Sequence, residues 1–524
     1  MKTLPLKIMP FIVAWTVQMT EVHAQGPDWS TTIASIVYTN CSSCHHTGGI
    51  APFPLMGYQD AVDNAISIQD AVVNRHMPPW PADPAYRHFA YEAVLDSLEI
   101  AAINDWVNNG TPQGDSTLAP PVPVFSTTGS MLDTIHHTVQ IPPYTLQYNT
   151  DEYRWFAMHT NFADTVYVSR IEVIPGLPHI VHHADIHYDL TGDSYLLDSL
   201  SPLPGFSGGM VSNYYMNAWQ PGGNIATYPN NWGIMVPPGA DFVLEIHYGP
   251  GGIGLIDTTK MNLQFITNPV NVRTVSVGWL LNNPIPSQGP LIIPPDTVIT
   301  FNQLSAPMPV ARSLISICPH MHLLGKSYKV WFETAAGDSV PLIDIPHWDF
   351  HWQKYYMFQQ IQEIPAGARI HSIASYDNTA NNPHNPNSPP ITVTYGPTTE
   401  DEMLMTYFIY ATYQAGDENI ILDSTLITSA PYHPGSKTHD HAFNTYPNPS
   451  KDYFTIDGSK AAGSKAMLEI YDPVGNLIEK RLLTAAETQI SERINLGDYS
   501  AGIYYFRIIS ESGMLASGKL ISVK

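Results

Sequence analysis

Two cysteines and one histidine near the start of the chain have the spacing of a haem attachment site. Cys41, Cys44 and His45 form a C-x-x-C-H element. Two thiols at this spacing can add to the two vinyl groups of one haem, and the adjoining imidazole then binds the iron as an axial ligand. A buried disulfide or a redox-active cysteine pair would leave His45 without a role. The sequence therefore predicts one covalently bound haem c.

The second axial ligand of this haem is expected from the loop 75–81, Arg-His-Met-Pro-Pro-Trp-Pro. Met77 fits best, because a thioether raises the haem potential and the neighbouring prolines restrict the loop. His76 is the competing ligand. Residues 25–116 as a whole resemble the small class I cytochrome c domains that are fused to exported enzymes, which implies a small all-α domain.

Three further groups of histidines lie between residues 133 and 428. In chain order they are His179, His182, His183 and His187, then His247, then His320 and His322. Alternate residues of a strand share one face, so the two histidines of the third group present their imidazoles to the same side. Such a pair is half of a copper or zinc site. Two histidines on a solvated face would give the same pattern.

The adjacent pair His182 and His183 restricts how these residues could bind one metal ion. Neighbouring residues of a regular strand point to opposite faces, so the pair can share a metal only at a bulge or at a strand end. The same-face set His183, Asp185 and His187 is the competing metal site.

The order of these groups resembles the copper type II, ascorbate-dependent monooxygenases, the family of peptidylglycine monooxygenase and dopamine β-hydroxylase. The segments that carry the resemblance are His182-His183, His247-Tyr248-Gly249, His320 to Lys326, Asp377-Asn378 and Asp401-Glu402-Met403. The resemblance implies two jelly-roll-like β-sandwich domains, at 133–280 and 281–428, and two bound coppers.

The resemblance also implies a division of labour between two metal centres. His182, His183 and His247 would bind an electron-transfer copper. His320, His322 and Met403 would bind the copper at which oxygen reacts, and a thioether suits Cu(I). Without the family pattern, Met403 reads as an ordinary core methionine.

The chain departs from the family at positions that bear on the substrate. Cys318 stands where peptidylglycine enzymes have an arginine for the substrate carboxylate, and Met405 replaces an asparagine, while Tyr407 keeps the family's tyrosine. A carboxylate substrate would lack its bidentate partner, so peptidylglycine is not the expected substrate. Cys318 is expected to be a buried apolar thiol.

The two ends of the chain carry export signals. Residues 1–24 have the basic start, short apolar run and Val22-His23-Ala24 cleavage site of a signal peptide. Residues 444–524, with Tyr446-Pro447-Asn448-Pro449-Ser450 at their start, resemble the C-terminal sorting domain of the type IX secretion system. An immunoglobulin-like β-sandwich is expected there, and a generic binding domain of that fold has similar strands. The secretion machinery is therefore an expected partner, and the location is the outer-membrane cell surface or the extracellular space.

The remaining composition favours a multidomain, mainly β protein. The chain has 46 prolines and 35 glycines, and short alternating strands run through 133–428. Helices are predicted at 31–39, at 58–75 and after the capping box of Asp96 and Glu99. Linkers are predicted at 117–132 and 429–443. A net charge of −23 argues against nucleic acid as a partner, and no transmembrane helix is expected.

These patterns lead to two functional hypotheses. The first is a secreted haem- and copper-containing monooxygenase that uses O2 to hydroxylate a C–H bond of an unidentified small molecule. Its electrons would come from ascorbate or a redox protein, with the cytochrome domain as a candidate relay. The alternative is a non-enzymatic electron-transfer or copper-binding protein at the cell surface.

Overall fold

The structure is a computed structural model that is mainly β, with few helices. It describes residues 26–125, 130–208, 214–223, 225–281 and 286–423, and in the C-terminal segment 444–446, 450–459, 466–471, 477–483, 489–495, 502–510 and 513–522. The predicted signal peptide and the linker 429–443 lie outside the described residues. No described helix is long and apolar enough to cross a membrane.

The chain divides into two compact units. Residues 1–78 and 94–125 form the smaller unit, and residues 79–93 and 126–524 form the larger one. The predicted helical domain is continuous from 25 to 116, whereas the segment Pro79–Ala93 packs within the larger unit. There the Ala90 N–H donates to the carbonyl oxygen of Met357 at 2.8 Å.

The smaller unit is helical. Its elements are a π-helical turn at Trp29–Ile33, α1 at Ala34–Asn40, α2 at Tyr58–Asp63, α3 at Ala65–Val73, α4 at Ser97–Asn108 and a 3-10 turn at Ser116–Leu118. The single helix expected at 58–75 is two helices that meet at Asn64. Trp29, Ile33, Ile103 and Trp106 are buried in one common core.

The described residues of the first half of the larger unit form one helix, α5 at Asp193–Leu200, and twelve strands. The strands are β1 His137–Gln140, β2 Tyr144–Thr145, β3 Glu152–His159, β4 Val166–Ile174, β5 Val181–Asp189, β6 Tyr214–Trp219, β7 Ala226–Thr227, β8 Trp232–Val236, β9 Asp241–Tyr248, β10 Ile256–Asp257, β11 Lys260–Phe265 and β12 Arg273–Thr274. One sheet has the order β3-β9-β5-β6, and a second has β1-β11-β4-β8-β12 with β7 beside β4. Side chains of both sheets, among them Phe156, Leu244, Val168 and Leu263, share one hydrophobic core.

In the second half of the larger unit, the part that the structure describes has ten strands and two 3-10 turns, at Phe350–Trp352 and Asp417–Asn419. The strands are β13 Ser276–Trp279, β14 Ile292–Ile293, β15 Thr297–Leu304, β16 Arg312–His320, β17 Gly325–Glu333, β18 Ser339–Ile345, β19 Tyr356–Ile364, β20 Arg369–Asn378, β21 Val393–Thr394 and β22 Met405–Thr412. Two four-stranded sheets, β13-β22-β16-β19 and β15-β20-β17-β18, enclose a second core.

The sheet β13-β22-β16-β19 contributes to both cores. Leu314 and Phe408 are buried in the second core, whereas Ile315 and Ile409, the next residues along the same strands, are buried in the first. Because side chains alternate along a strand, this sheet has an apolar patch on each face. The two halves of the larger unit are therefore packed together and not merely tethered.

The C-terminal segment forms two small sheets of its own. Its strands are β23 Asn444–Tyr446, β24 Tyr453–Ser459, β25 Ala466–Tyr471, β26 Leu477–Leu483, β27 Gln489–Asn495, β28 Gly502–Ser510 and β29 Gly513–Ser522. The strand orders are β23-β24-β27 and β26-β25-β28-β29, and Phe454, Leu468 and Phe506 lie in a common core.

The capping box that was predicted for α4 is present, and it generates a prediction. The Asp96 carboxylate accepts from the N–H groups of Leu98 and Glu99 at 2.7 and 2.8 Å, and Glu99 accepts from the Asp96 N–H at 2.9 Å. We expect Asp96→Ala to destabilise α4 by about 1 kcal/mol. Native-state hydrogen exchange of the α4 amides measures this change. The control is Asp105→Ala, an exposed position of the same helix that should not raise exchange; equal protection in both variants would contradict the capping role.

Candidate functional site

A β-bulge brings the two adjacent histidines of β5 to one side. Val181 pairs with Tyr248, and His183 pairs with His247. The two partners on β9 are adjacent in sequence, whereas His182 lies between the two residues on β5. His182 is the extra residue of this bulge. Two adjacent histidines can share a metal ion only where the alternation of the strand is broken. This bulge in β5 provides such a break.

His182, His183 and His247 form one group of ligand atoms. Their rings are 4.9 to 5.6 Å apart between centroids, and one ligand nitrogen of each lies within 4.8 Å of the others. The Nδ1 atoms of His182 and His183 are 3.3 Å apart. Two nitrogens bound tetrahedrally at about 2.0 Å, a typical metal–imidazole bond length, are also about 3.3 Å apart. The spacing suits one metal ion.

A carboxylate orients the third imidazole of this group. His247 is buried, and its Nε2 donates to Oδ1 of Asp151 at 2.8 Å. The Nδ1 atom of His247 is buried and has no hydrogen-bond partner among the described residues. A histidine that donates one ring N–H to a carboxylate has its lone pair on the other nitrogen, as metal-binding histidines do. Asp151, just before β3, had no signal in the sequence that linked it to His247.

Burial keeps the imidazoles of His182 and His183 neutral. It lowers the pKa of His182 to about 3, and the neighbouring His247 and His351 add to the effect. The pKa of His183 is held well below its usual value, first by burial and then by His247 and His182. Neutral imidazole is the form that binds metals.

The other two predicted histidine ligands lie at the end of β16. The rings of His320 and His322 are 5.1 Å apart and nearly perpendicular, at 86°. Burial lowers the pKa of His320 to about 3, with a contribution from His322, and burial also lowers the pKa of His322. The His322 Nδ1 atom is 3.0 Å from the carbonyl oxygen of Asp401, which suits donation from Nδ1 and leaves the lone pair on Nε2.

Met403 reaches this region through its neighbour Glu402. The buried Glu402 carboxylate accepts from the backbone N–H groups of His322, Leu324 and Met403, at 2.9, 2.6 and 3.2 Å. The backbone of Met403 and that of His322 are thus held by the same side chain. The Asp-Glu-Met run alone did not indicate that Glu402 is buried and holds two segments of backbone together.

The two histidine groups are neighbours within the larger unit. The ring of Phe350 stacks on His182 at 5.3 Å and meets His322 edge-on at 6.0 Å, between centroids. His320 and His322 also contribute to the low pKa of His183. A single aromatic ring therefore contacts both groups, and no sequence pattern pointed to Phe350.

A second group of potential ligands lies beside the first on the same two strands. Asp185, His187 and Glu245 each offer a ligand atom within 4.8 Å of the others. The sequence had proposed His183, Asp185 and His187 as the competing set. In the structure His183 joins the three-histidine group, and Glu245 of β9 takes its place.

In the smaller unit, the predicted haem-binding residues follow α1. Neither Cys41 nor Cys44 is in a disulfide, and burial raises the pKa of Cys41 to about 12. The His45 Nδ1 atom lies 2.9 Å from the carbonyl oxygen of Phe53. Donation to that carbonyl leaves the lone pair on Nε2, the nitrogen that an axial iron ligand needs.

The candidate distal ligands lie on the loop after α3. The backbone N–H groups of both His76 and Met77 donate to the carbonyl oxygen of Ala71. The Met77 side chain is 36% exposed, and His76 is exposed as well. The choice between Met77 and His76 stays a prediction.

Cys318 is buried, as expected for an apolar thiol.

Several solved structures have a weak likeness to the chain. The β-glucuronidases of Ruminococcus gnavus, Faecalibacterium prausnitzii and Bifidobacterium dentium are each 9% identical, with TM-scores of 0.17, 0.16 and 0.15. Each match covers 43% of this chain, and 36, 37 and 39% of the respective enzyme. The chain thus spans little more than a third of those enzymes. TM-scores this low support no conclusion about its fold or activity.

Family comparison identifies the end of the chain. No curated protein matches the chain. Residues 444–524 match the family described as the secretion system C-terminal sorting domain. This confirms the sorting domain that the sequence predicted. The chain therefore carries the signal for export by type IX secretion to the cell surface or the extracellular space, with the secretion machinery as its partner.

Proposed function

We propose that the chain is an exported monooxygenase-like redox enzyme that contains two coppers and one haem c and hydroxylates a C–H bond of a small molecule with O2. The observation that carries the proposal is the convergence of His182, His183 and His247 at the β5 bulge, opposite His320 and His322. In this proposal residues 133–280 and 281–428 are the two copper domains, and residues 25–116 are a class I cytochrome c domain.

The donor sets suit copper of two different characters. Three neutral imidazoles suit a centre that cycles between Cu(I) and Cu(II), and two imidazoles with the Met403 thioether favour Cu(I). Copper bound at these positions would supply single-electron transfer and oxygen activation. The protein's part is to hold the ligands neutral, oriented and apart from bulk water.

Three contacts of the described residues hold the ligands in this way. Asp151 fixes the ring of His247, and the Asp401 carbonyl fixes the ring of His322. The Phe350 ring packs against both groups. Ligands that are held in fixed positions need little reorganisation energy when the metal changes its oxidation state.

The haem domain supports the redox reading. Cys41, Cys44 and His45 fit covalent haem attachment, because neither cysteine is in a disulfide and the His45 ring is oriented by the Phe53 carbonyl. A haem held there would carry one electron at a time, which is what a copper pair accepts. Ascorbate or a redox protein is the proposed electron donor.

The first test concerns the orientation of His247. We expect Asp151→Ala to weaken copper binding at the three-histidine group about 10- to 100-fold, because the supporting carboxylate is lost. Competition with a Cu(I) chelator measures the affinity. The matched control is Glu333→Ala: Glu333 also lies beside a histidine, His371, outside both histidine groups, and its side chain is 51% exposed, against 44% for Asp151. Equal copper affinity in both variants would count against the assignment.

The second test separates the enzyme from the alternative function. Met403→Leu removes the thioether at nearly constant volume. If the chain is a monooxygenase, oxygen uptake by the copper-loaded variant should fall to background, while copper at the three-histidine group is retained. Met308→Leu, at a buried methionine of the second core, is the control and should keep its oxygen uptake. Unchanged uptake in Met403→Leu would instead favour a non-enzymatic surface protein that transfers electrons or binds copper.

The third test concerns the haem and its relay role. The double variant Cys41→Ala with Cys44→Ala should lose the covalent haem absorption band, whereas Cys318→Ala, which changes the third cysteine, should keep it. We expect reduction of the coppers by an external donor to slow in the double variant. Rapid reduction by ascorbate without haem would rule out an obligatory relay.

A further inference from the structure

The group Asp185, His187 and Glu245 has a geometry that the copper assignment does not use. Asp185 and Glu245 are directly opposite in the antiparallel pair of β5 and β9. His187 lies two residues along β5 from Asp185, on the same face, while Ala184 and Ile186 point into the hydrophobic core. Three ligand atoms from two hydrogen-bonded strands are thus held within 4.8 Å of one another.

Two carboxylates placed opposite each other need a compensating charge. Like charges directly opposite in a sheet destabilise it, and burial in a low dielectric increases the repulsion. The ion pairs formed by the described residues include neither Asp185 nor Glu245. A divalent cation would balance the two negative charges, and His187 supplies a nitrogen ligand.

Aromatic side chains enclose the group. The rings of Trp155 and Tyr215 are 5.3 and 5.0 Å from His187, between centroids. The Tyr215 hydroxyl lies 3.3 Å from Oδ1 of Asp185 and can orient that carboxylate. A metal-binding carboxylate is commonly held by a hydrogen bond of this kind.

We propose that Asp185, His187 and Glu245 bind a divalent metal ion of the manganese class. Two carboxylates with one imidazole suit a harder cation than the thioether and imidazole donors of the copper sites. The site shares no ligand with those assigned to copper, so it does not depend on the proposed function. The bound ion braces β5 against β9 beside His183 and His247.

The test uses the full-length mature protein, stripped of metal and titrated with Mn²⁺, with free Mn²⁺ measured by electron paramagnetic resonance. We expect one Mn²⁺ bound per chain, and binding weaker by about tenfold or more in Glu245→Gln, which loses one charged ligand. His159→Gln, on the neighbouring strand β3, is the control and should bind like the wild type. His247→Gln should also retain the site; loss of Mn²⁺ there would merge the two groups into one and overturn the proposal.

Thermal unfolding shows whether the Glu245→Gln variant is folded. Metal-free Glu245→Gln should unfold at the same temperature as the metal-free wild type or higher, because one of two opposing carboxylates is gone. At one Mn²⁺ concentration, the metal should raise the unfolding temperature of the wild type more than that of Glu245→Gln. Equal Mn²⁺ binding by wild type and Glu245→Gln, or none by either, would overturn the proposal.

Discussion

The packing of the two β halves on each other is the contact on which the candidate site depends. Each half alone carries one group of histidines, and only the shared burial of apolar side chains from both halves places the groups side by side. Ile315 and Ile409 contribute to the core of the first half, and Tyr215 packs on Tyr407 with 5.2 Å between ring centroids. Burial of apolar surface is non-directional, so the aromatic contacts at this interface add the orientation that burial lacks.

The same burial has opposite consequences for the two kinds of ligand. Imidazoles become neutral and ready to bind metal, as the low pKa values of His182 and His320 indicate. Carboxylates lose the hydration that stabilises their charge, so each needs a partner. Asp151 meets this need at His247 and stays partly exposed. Each acidic side chain in this region therefore lies where a proton donor or a cation can stabilise its negative charge.

Local patterns in the sequence predicted the elements well, but not the contacts between them. The capping box of α4 follows from short-range rules, and so does the need for a bulge at His182. Asp151, Phe350 and Glu245 join the histidines only through strand pairing and loop packing over long sequence distances. The break at Asn64 and the docking of 79–93 were missed for the same reason, since tertiary contacts override local preference.

Glu402 explains how a loop methionine can be placed beside a strand-end histidine. Its carboxylate accepts three backbone N–H groups from two segments of chain, those of His322 and Leu324 and that of Met403. Burial raises the pKa of Glu402 to about 8, although these N–H groups act to lower it. Each hydrogen bond of this kind is worth about 1 kcal/mol, and leaving a buried polar group without its partner costs more. The two segments are thus held together by the protein itself, so the backbone that presents His322 and Met403 is set before any metal binds.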